Sequence, residues 1–177
     1  MPTTCNLTEG WLLADVCKDN IGGIRLAGIV KFDSDVAGVV GLTGSYSNII
    51  TSFGGATPSF YKFEQGNEVA SLNINGTFNS TSAFWSPELT INIPGMDPDA
   101  LGITTILGRG YWFCLAEDKK GNTYLCNLFN PMEVSSDTST FGLAAADAVG
   151  STIVLTTSES QKPYLVDPAI VAGLYVN

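Results

Sequence analysis

One alternating segment, residues 69–93, constrains the fold of this chain more than any other; it reads VASLNINGTFNSTSAFWSPELTINI. Apolar and polar residues alternate in both halves, and successive side chains of a β-strand point to opposite faces of its sheet. Residues 79–82, Asn-Ser-Thr-Ser, lie between the halves and suit a turn. The segment therefore predicts a long β-hairpin with one face packed on a core and one polar face.

The two faces of this predicted hairpin differ in chemistry. The apolar face carries Leu72, Ile74, Phe78, Leu89, Ile91 and Ile93. The polar face carries Ser71, Asn73, Asn75, Thr77, Asn79, Glu88, Thr90 and Asn92. Only one of these polar residues is ionisable, so the polar face is expected to form a wall rather than an active site. Pro87 is expected to interrupt the second strand, because proline cannot donate to the strand ladder.

The composition of the chain favours self-association. Its 177 residues fit one domain, which is large enough to bury a core without a metal or a disulfide. Hydrophobic residues make up 45% and charged residues only 14%, whereas soluble domains have about 25% charged residues. This balance predicts apolar surface that meets other subunits. A compact, glycine-rich β monomer is the alternative.

The charge of the chain argues against binding to anionic partners. The formal net charge is −9, and Lys119–Lys120 is the only basic pair. Binding to nucleic-acid phosphates needs a basic stripe, and the sequence has none. It also has no apolar run of 18 residues and no N-terminal signal-peptide pattern. We therefore expect neither a membrane partner nor secretion.

Four cysteines, Cys5, Cys17, Cys114 and Cys126, are expected to be free thiols in a chain that is not secreted. Their spacing does not match a zinc motif, and the chain has no histidine to complete a Cys/His set. Cys114 and Cys126 are equally distant from Lys120, so a hairpin turning there would place the two thiols opposite each other. A disulfide or a ligand role for this pair remains the alternative.

The chain divides into an N-terminal arm at 1–20, a strand-rich domain at 21–160 and a C-terminal docking tail at 161–177. The arm and the tail contain apolar residues that are typical of segments docked on their own domain or on a neighbour. Candidate subunit-contact residues are Trp11, Leu12, Leu13, Trp85, Leu174 and Tyr175.

One helix is predicted among many short strands, at about residues 97–107. Asp97 suits the N-cap, Pro98 suits the first helical position, and Gly108 suits the stop. The fold class is therefore mainly β: an antiparallel β-sandwich or partly open barrel with one flanking α-helix.

The sequence offers little that could support catalysis. The absence of histidine removes the common triads and most general-base schemes. No calcium-loop or nucleotide-binding pattern is complete. We expect neither an enzyme nor a cofactor or metal site. Trp11, Trp85 and Trp112 could instead form a sugar platform in an extracellular carbohydrate-binding sandwich, although tryptophans more often lie in cores or subunit contacts.

Several segments together resemble the tail tube proteins of tailed bacteriophages. They are CKDNIGGI at 17–24, the long hairpin and the helix after it, the strand pair ILGRGYWFCLAEDKKGNTYLCN at 106–127, and the Gly/Ala/Asp-rich stretch 142–150 followed by STIVLTT. The likeness extends over most of the chain.

The resemblance implies a virion protein that assembles in the host cytoplasm. Six copies would form a ring, and stacked rings would form a tube through which DNA passes without specific binding. The polar hairpin face would line the channel, and the subunit-contact residues would join copies to one another and to other tail proteins. Two other virion roles, capsid decoration protein and head–tail connector, are the alternatives.

Overall fold

The computed structural model describes residues 22–33, 40–44, 48–53, 57–66, 69–142 and 149–176. Within these ranges a curled eight-stranded sheet, which forms a half-barrel, packs against a four-stranded sheet. This arrangement confirms the predicted mainly-β fold, a sandwich or open barrel. The predicted arm, including Trp11, Leu12 and Leu13, lies outside the described residues, as do Cys5 and Cys17.

The elements follow the chain in this order: β1 (Ile24–Lys31), β2 (Val40–Thr43), β3 (Ile49–Phe53), β4 (Phe60–Glu64), β5 (Ser71–Phe78), β6 (Ala83–Pro94), α1 (Pro98–Leu107), β7 (Trp112–Asp118), β8 (Thr123–Leu125), β9 (Glu133–Thr140), β10 (Gly150–Thr156), β11 (Tyr164–Val166), α2 (Pro168–Val171) and β12 (Tyr175–Val176). The eight-stranded sheet has the order β12-β4-β1-β7-β8-β11-β3-β2. The four-stranded sheet has the order β5-β6-β10-β9.

The two sheets enclose two separate cores, and β7 contributes to both. Cys114 and Ala116 face the core between the two sheets and α1. Phe113 and Leu115 point to the opposite face and pack inside the curl of the eight-stranded sheet. All five residues 113–117 are therefore buried. Such a strand reads in sequence as an apolar run, because both of its faces are dry.

The C-terminal tail is integrated into the eight-stranded sheet. Its strands β11 and β12 pair parallel to β3 and β4, whereas the other strand pairs described are antiparallel. The ring of Tyr175 lies against β1 at Gly28, where an added Cβ would come within 2.8 Å of the ring. Glycine at position 28 thus lets β12 close one end of the curl.

The helix prediction is confirmed with its boundaries. The Asp97 carboxylate accepts a hydrogen bond from the Ala100 backbone N–H at 2.7 Å, and Gly108 caps the end of α1. Ala100, Thr104 and Leu107 face the core. The single turn α2 was not predicted, because four residues are too few to show a periodic pattern.

The predicted hairpin is present as β5 and β6, and Asn79 forms its turn by accepting hydrogen bonds from the backbone N–H groups of Thr81 and Ser82. The expected interruption at Pro87 was wrong, because β6 continues through it in unbroken register. The nitrogen of Pro87 points away from β5, toward the segment that follows β10. There the Thr157 N–H donates to the Pro87 carbonyl oxygen at 3.4 Å, so the proline removes one possible bond to that segment and none to β5.

The apolar face of the hairpin is only partly buried, which corrects the expected core contact along its whole length. Leu89, Ile91 and Ile93 are buried, and Leu72 packs against the same core. Ile74 and Phe78 are 40% and 66% exposed because the tip of the hairpin extends beyond the core.

The prediction that Cys114 and Cys126 lie opposite each other as free thiols is confirmed. Cys114 and Cys126 are buried free thiols on facing segments, and the Cys126 N–H donates to the Cys114 carbonyl oxygen at 2.8 Å. Burial raises the pKa of both thiols. A raised pKa keeps these thiols protonated and unreactive.

We predict that Leu115→Ala lowers the free energy of unfolding by about 2–5 kcal/mol, because it removes a fully buried side chain from β7. Urea denaturation of the purified protein measures this change. Leu101→Ala is the matched control, since Leu101 is 43% exposed on α1, and its effect should stay within about 0.5 kcal/mol. Equal losses in both variants would contradict the assigned role of β7.

Candidate functional site

The four-stranded sheet presents one face to the core and one face to the outside, and the outer face is the candidate functional surface. Strand register decides which residues share it: Ser71 pairs with Thr90, and Asn73 pairs with Glu88. On the other side of β6, Asn92 pairs with Thr152. Seven of the eight channel-lining candidates lie on this face: Ser71, Asn73, Asn75, Thr77, Glu88, Thr90 and Asn92. The eighth, Asn79, lies in the turn.

Two further strands extend this face, and sequence reasoning had not assigned them to it. Pairing with β6 and β10 places Ser136, Thr138, Thr140, Thr152 and Thr156 on the same side. The abundance of serine and threonine in residues 133–140, EVSSDTST, was the available signal, but only the register shows which of these residues share a face. The same register also places Phe84, Ser86 and Val154 on this face. The outer face is thus rich in hydroxyl and amide groups and includes two large apolar side chains.

The charge on the outer face is uniformly acidic and sparse. Its ionisable residues are Glu88 and Glu133, and strand register places no lysine or arginine there among the described residues. Such a face cannot form ion pairs with phosphate groups.

Both edges of the four-stranded sheet are open in the described structure. β5 and β9 are eight residues long, and neither pairs with another described strand on its outer side. The Asn79 N–H donates to the Ser82 carbonyl oxygen at 2.9 Å, so these two residues form a hydrogen-bonded pair. In an antiparallel ladder such pairs alternate with pairs whose backbone groups point away from the partner strand. The backbone N–H and C=O groups of Leu72, Ile74, Gly76 and Phe78 consequently point to the open edge.

The subunit-contact candidates within the described residues have different environments. Trp85 is half-buried and meets Phe78 edge-to-face, with ring centroids 5.7 Å apart. Tyr175 is half-buried. Leu174 is fully buried inside the curl of the eight-stranded sheet, so its side chain is not exposed to a neighbouring subunit.

A buried carboxylate, Glu159, anchors the base of the hairpin, and no local sequence pattern predicts this role. The Glu159 backbone pairs with that of Trp85 in both directions, at 2.8 Å each. Its Oε1 accepts hydrogen bonds from the backbone N–H groups of Leu128, Phe129 and Asn130 at 2.8–3.0 Å. Glu159 thus joins β6 to the turn that follows β8.

The electrostatic state of Glu159 reflects two opposing effects. Burial raises the pKa of its carboxyl group, whereas the three backbone donors act to lower that pKa, and the net direction is upward. Loss of hydration is the larger effect because only 4% of the Glu159 surface is exposed to solvent. Its role in this position is structural, since the bonded oxygen is occupied by three donors.

The described residues contain neither a cluster of metal-ligating side chains nor a membrane-spanning helix. Within the ranges that the structure covers, no three His, Cys, Asp or Glu side chains come together to hold a metal ion. In the same ranges, no helix is long and apolar enough to cross a membrane.

Comparison of the chain with protein-family models, curated proteins and solved structures gave no match. The candidate surface is therefore defined by its geometry and chemistry alone.

We predict that Glu159→Ala lowers the free energy of unfolding by about 2–4 kcal/mol, because three backbone N–H groups lose their acceptor. Glu159→Gln keeps an acceptor oxygen and should cost less. Equal losses in the two variants, measured by chemical denaturation, would contradict the acceptor role.

The same variants predict a pH dependence. Because the pKa of Glu159 is raised in the folded state, ionisation on going from pH 4 toward pH 7 lowers wild-type stability. Glu159→Gln lacks this ionisation, so its stability relative to wild type should improve as pH rises through that window. Denaturation at several pH values checks the sign, and a relative decline would contradict it.

Proposed function

We propose that this chain is a structural virion protein that assembles into rings, and that stacked rings form the tail tube of a bacteriophage. The observation that carries the proposal is the four-stranded sheet, whose eight-residue edge strands β5 and β9 have no outer partner among the described residues. Unpaired strand edges of this length are normally covered or blunted, because they pair with other chains.

The direction of the strands suits a head-to-tail contact. Each neighbouring pair in the order β5-β6-β10-β9 is antiparallel, so β5 and β9 run in opposite directions. When β9 of one copy lies beside β5 of the next, the antiparallel alternation continues without a break. A contact between two different patches rotates each copy relative to the last, and it produces a closed ring when these rotations add up to a full turn.

Ring closure would turn the four-stranded sheets into one continuous barrel. A closed barrel has no edges, which removes the exposed backbone groups of Ile74 and its outward-facing neighbours. The resemblance to tail tube proteins implies six copies per ring. The half-barrel, with its own core, would then lie outside the barrel wall.

The chemistry of the outer face suits a channel for DNA. A lumen with cationic groups would hold phosphates and retard the passing duplex. The described outer face instead offers mainly hydroxyl and amide groups, with two carboxylates, Glu88 and Glu133, and two uncharged apolar side chains, Phe84 and Val154. Weak acidity repels the DNA backbone, and neutral groups let it slide. The proposed role is thus geometric and requires neither catalysis nor a cofactor.

We predict that the purified protein forms rings or tubes at high concentration, because association pairs the strand edges that are open in the described part of the chain. Negative-stain electron microscopy, with analytical ultracentrifugation, measures the assemblies and their symmetry. A protein that stays monomeric at high concentration would contradict the proposal. Trimers that coat capsids would favour the decoration role instead.

A second prediction concerns the edge of β5. Ile74→Pro removes a backbone N–H that points to the open edge, so the β5–β6 ladder should survive while pairing to another copy is lost. We expect a folded monomer by circular dichroism and no rings by microscopy. Ile74→Val keeps the N–H and is the matched control, which should assemble. Normal assembly of Ile74→Pro would exclude the β5 edge as the contact.

A further inference from the structure

A continuous apolar groove runs between α1 and the eight-stranded sheet, away from the outer face of the four-stranded sheet. Two adjoining pockets of about 660 and 480 Å³ form it and share Ile106 and Trp112. The apolar lining also includes Ile29, Phe63, Ile103 and Tyr111. Ile106 and Tyr111 are 62% and 58% exposed, and a contiguous patch of this kind marks an interaction site.

The charged side chains that line the groove are all basic. Lys31, Lys62 and Arg109 line it, and no carboxylate is among its described lining residues. The chain as a whole carries a net charge of −9, so a cationic rim is unusual on its surface. The matching occupant is a short apolar segment flanked by acidic residues.

One segment outside the described residues has this chemistry. Residues 9–15 read EGWLLAD, with Trp11, Leu12 and Leu13 between Glu9 and Asp15. None of the other segments outside the described residues contains three consecutive large apolar residues. The segment therefore combines the apolar surface and the acidic ends that the groove requires.

The length of the intervening chain permits the contact. The described chain begins at Gly22, just before β1, and the groove lies at the far end of β1 near Ile29 and Lys31. From Gly22 to Ile29 is seven residues, or about 23 Å along a strand. Leu13 and Gly22 are nine Cα-to-Cα steps apart, which span about 30 Å when the chain is extended. The segment can therefore reach the groove of its own chain or that of an adjacent copy.

We infer that the groove between α1, β1 and β4 is the docking site for residues 9–15 of this chain. Trp11 and the two leucines cover the apolar lining, and Glu9 and Asp15 lie near the cationic rim. Docking removes the exposed apolar surface of Ile106 and Tyr111 from water, which is the main favourable contribution. This inference concerns α1 and its groove, and it does not depend on the proposed tube.

Disulfide trapping in the full-length chain tests the inference. Cys5→Ser and Cys17→Ser first remove the native thiols of the 1–21 segment, and Leu12→Cys with Ile106→Cys then places one thiol on each side of the proposed contact. A disulfide requires Cα atoms within about 7 Å. We expect mild oxidation to link positions 12 and 106, as identified by mass spectrometry of proteolytic fragments.

The matched control moves the second thiol along the same helix. Leu101 is exposed on α1 but does not line the groove. Leu12→Cys with Leu101→Cys should therefore crosslink several times more slowly. Equal rates for positions 101 and 106, or the absence of a 12–106 link, would overturn the inference. The mass of the linked species shows whether one copy or two are joined, and either result supports docking in the groove.

A charge variant provides a second measurement. Arg109→Glu places a like charge beside the acidic segment and should slow formation of the 12–106 disulfide. Lys162→Glu makes the same charge change at an exposed position outside the groove, so it should leave the rate unchanged. Equal effects of the two variants would exclude charge complementarity at the rim. A 12–106 link in protein that forms no rings would support docking while contradicting the proposed tube.

Discussion

Burial of β7 on both faces is the constraint on which the rest of the structure depends. Leu115 and Phe113 pack into the curl of the eight-stranded sheet, while Cys114 and Ala116 pack against the four-stranded sheet. A strand with two dry faces needs cover on both sides. The tail strands and β3 complete the curl on one side, and the hairpin, β10 and α1 cover the other.

Buried polar groups connect these layers where regular strand pairing ends. β8 stops at Leu125, and the Asn127 side chain then accepts from the Cys114 N–H and donates to the Trp112 carbonyl oxygen, both at 3.0 Å. Glu159 satisfies three backbone donors of the adjoining turn and holds the base of the hairpin. Because unpaired buried groups are costly, these two side chains fix one arrangement of the turn. The hairpin is thus anchored at its base while its tip stays exposed.

The exposed features of the fold have a common origin in this arrangement. The core covers one face of the four-stranded sheet but neither of its edges, and α1 covers only part of the face formed by β1 and β4. The open edges of the four-stranded sheet support the proposed ring. The part of the β1–β4 face that α1 leaves uncovered supports docking of residues 9–15. Both proposals place a further piece of the same chain, or of another copy, on surface that a single described domain leaves exposed.

Local patterns in the sequence determined the hairpin, its polar face, the capped helix and the facing cysteines, because each depends on residues close together in the chain. The sequence did not show that Ile74 and Phe78 are exposed, that Pro87 is tolerated, or that Glu159 meets the turn at 128–130. Those outcomes depend on where β10 ends, how far the core extends, and which distant segments meet. The tertiary structure alone decided them, since burial and strand pairing are set by contacts between residues that the linear pattern cannot bring together.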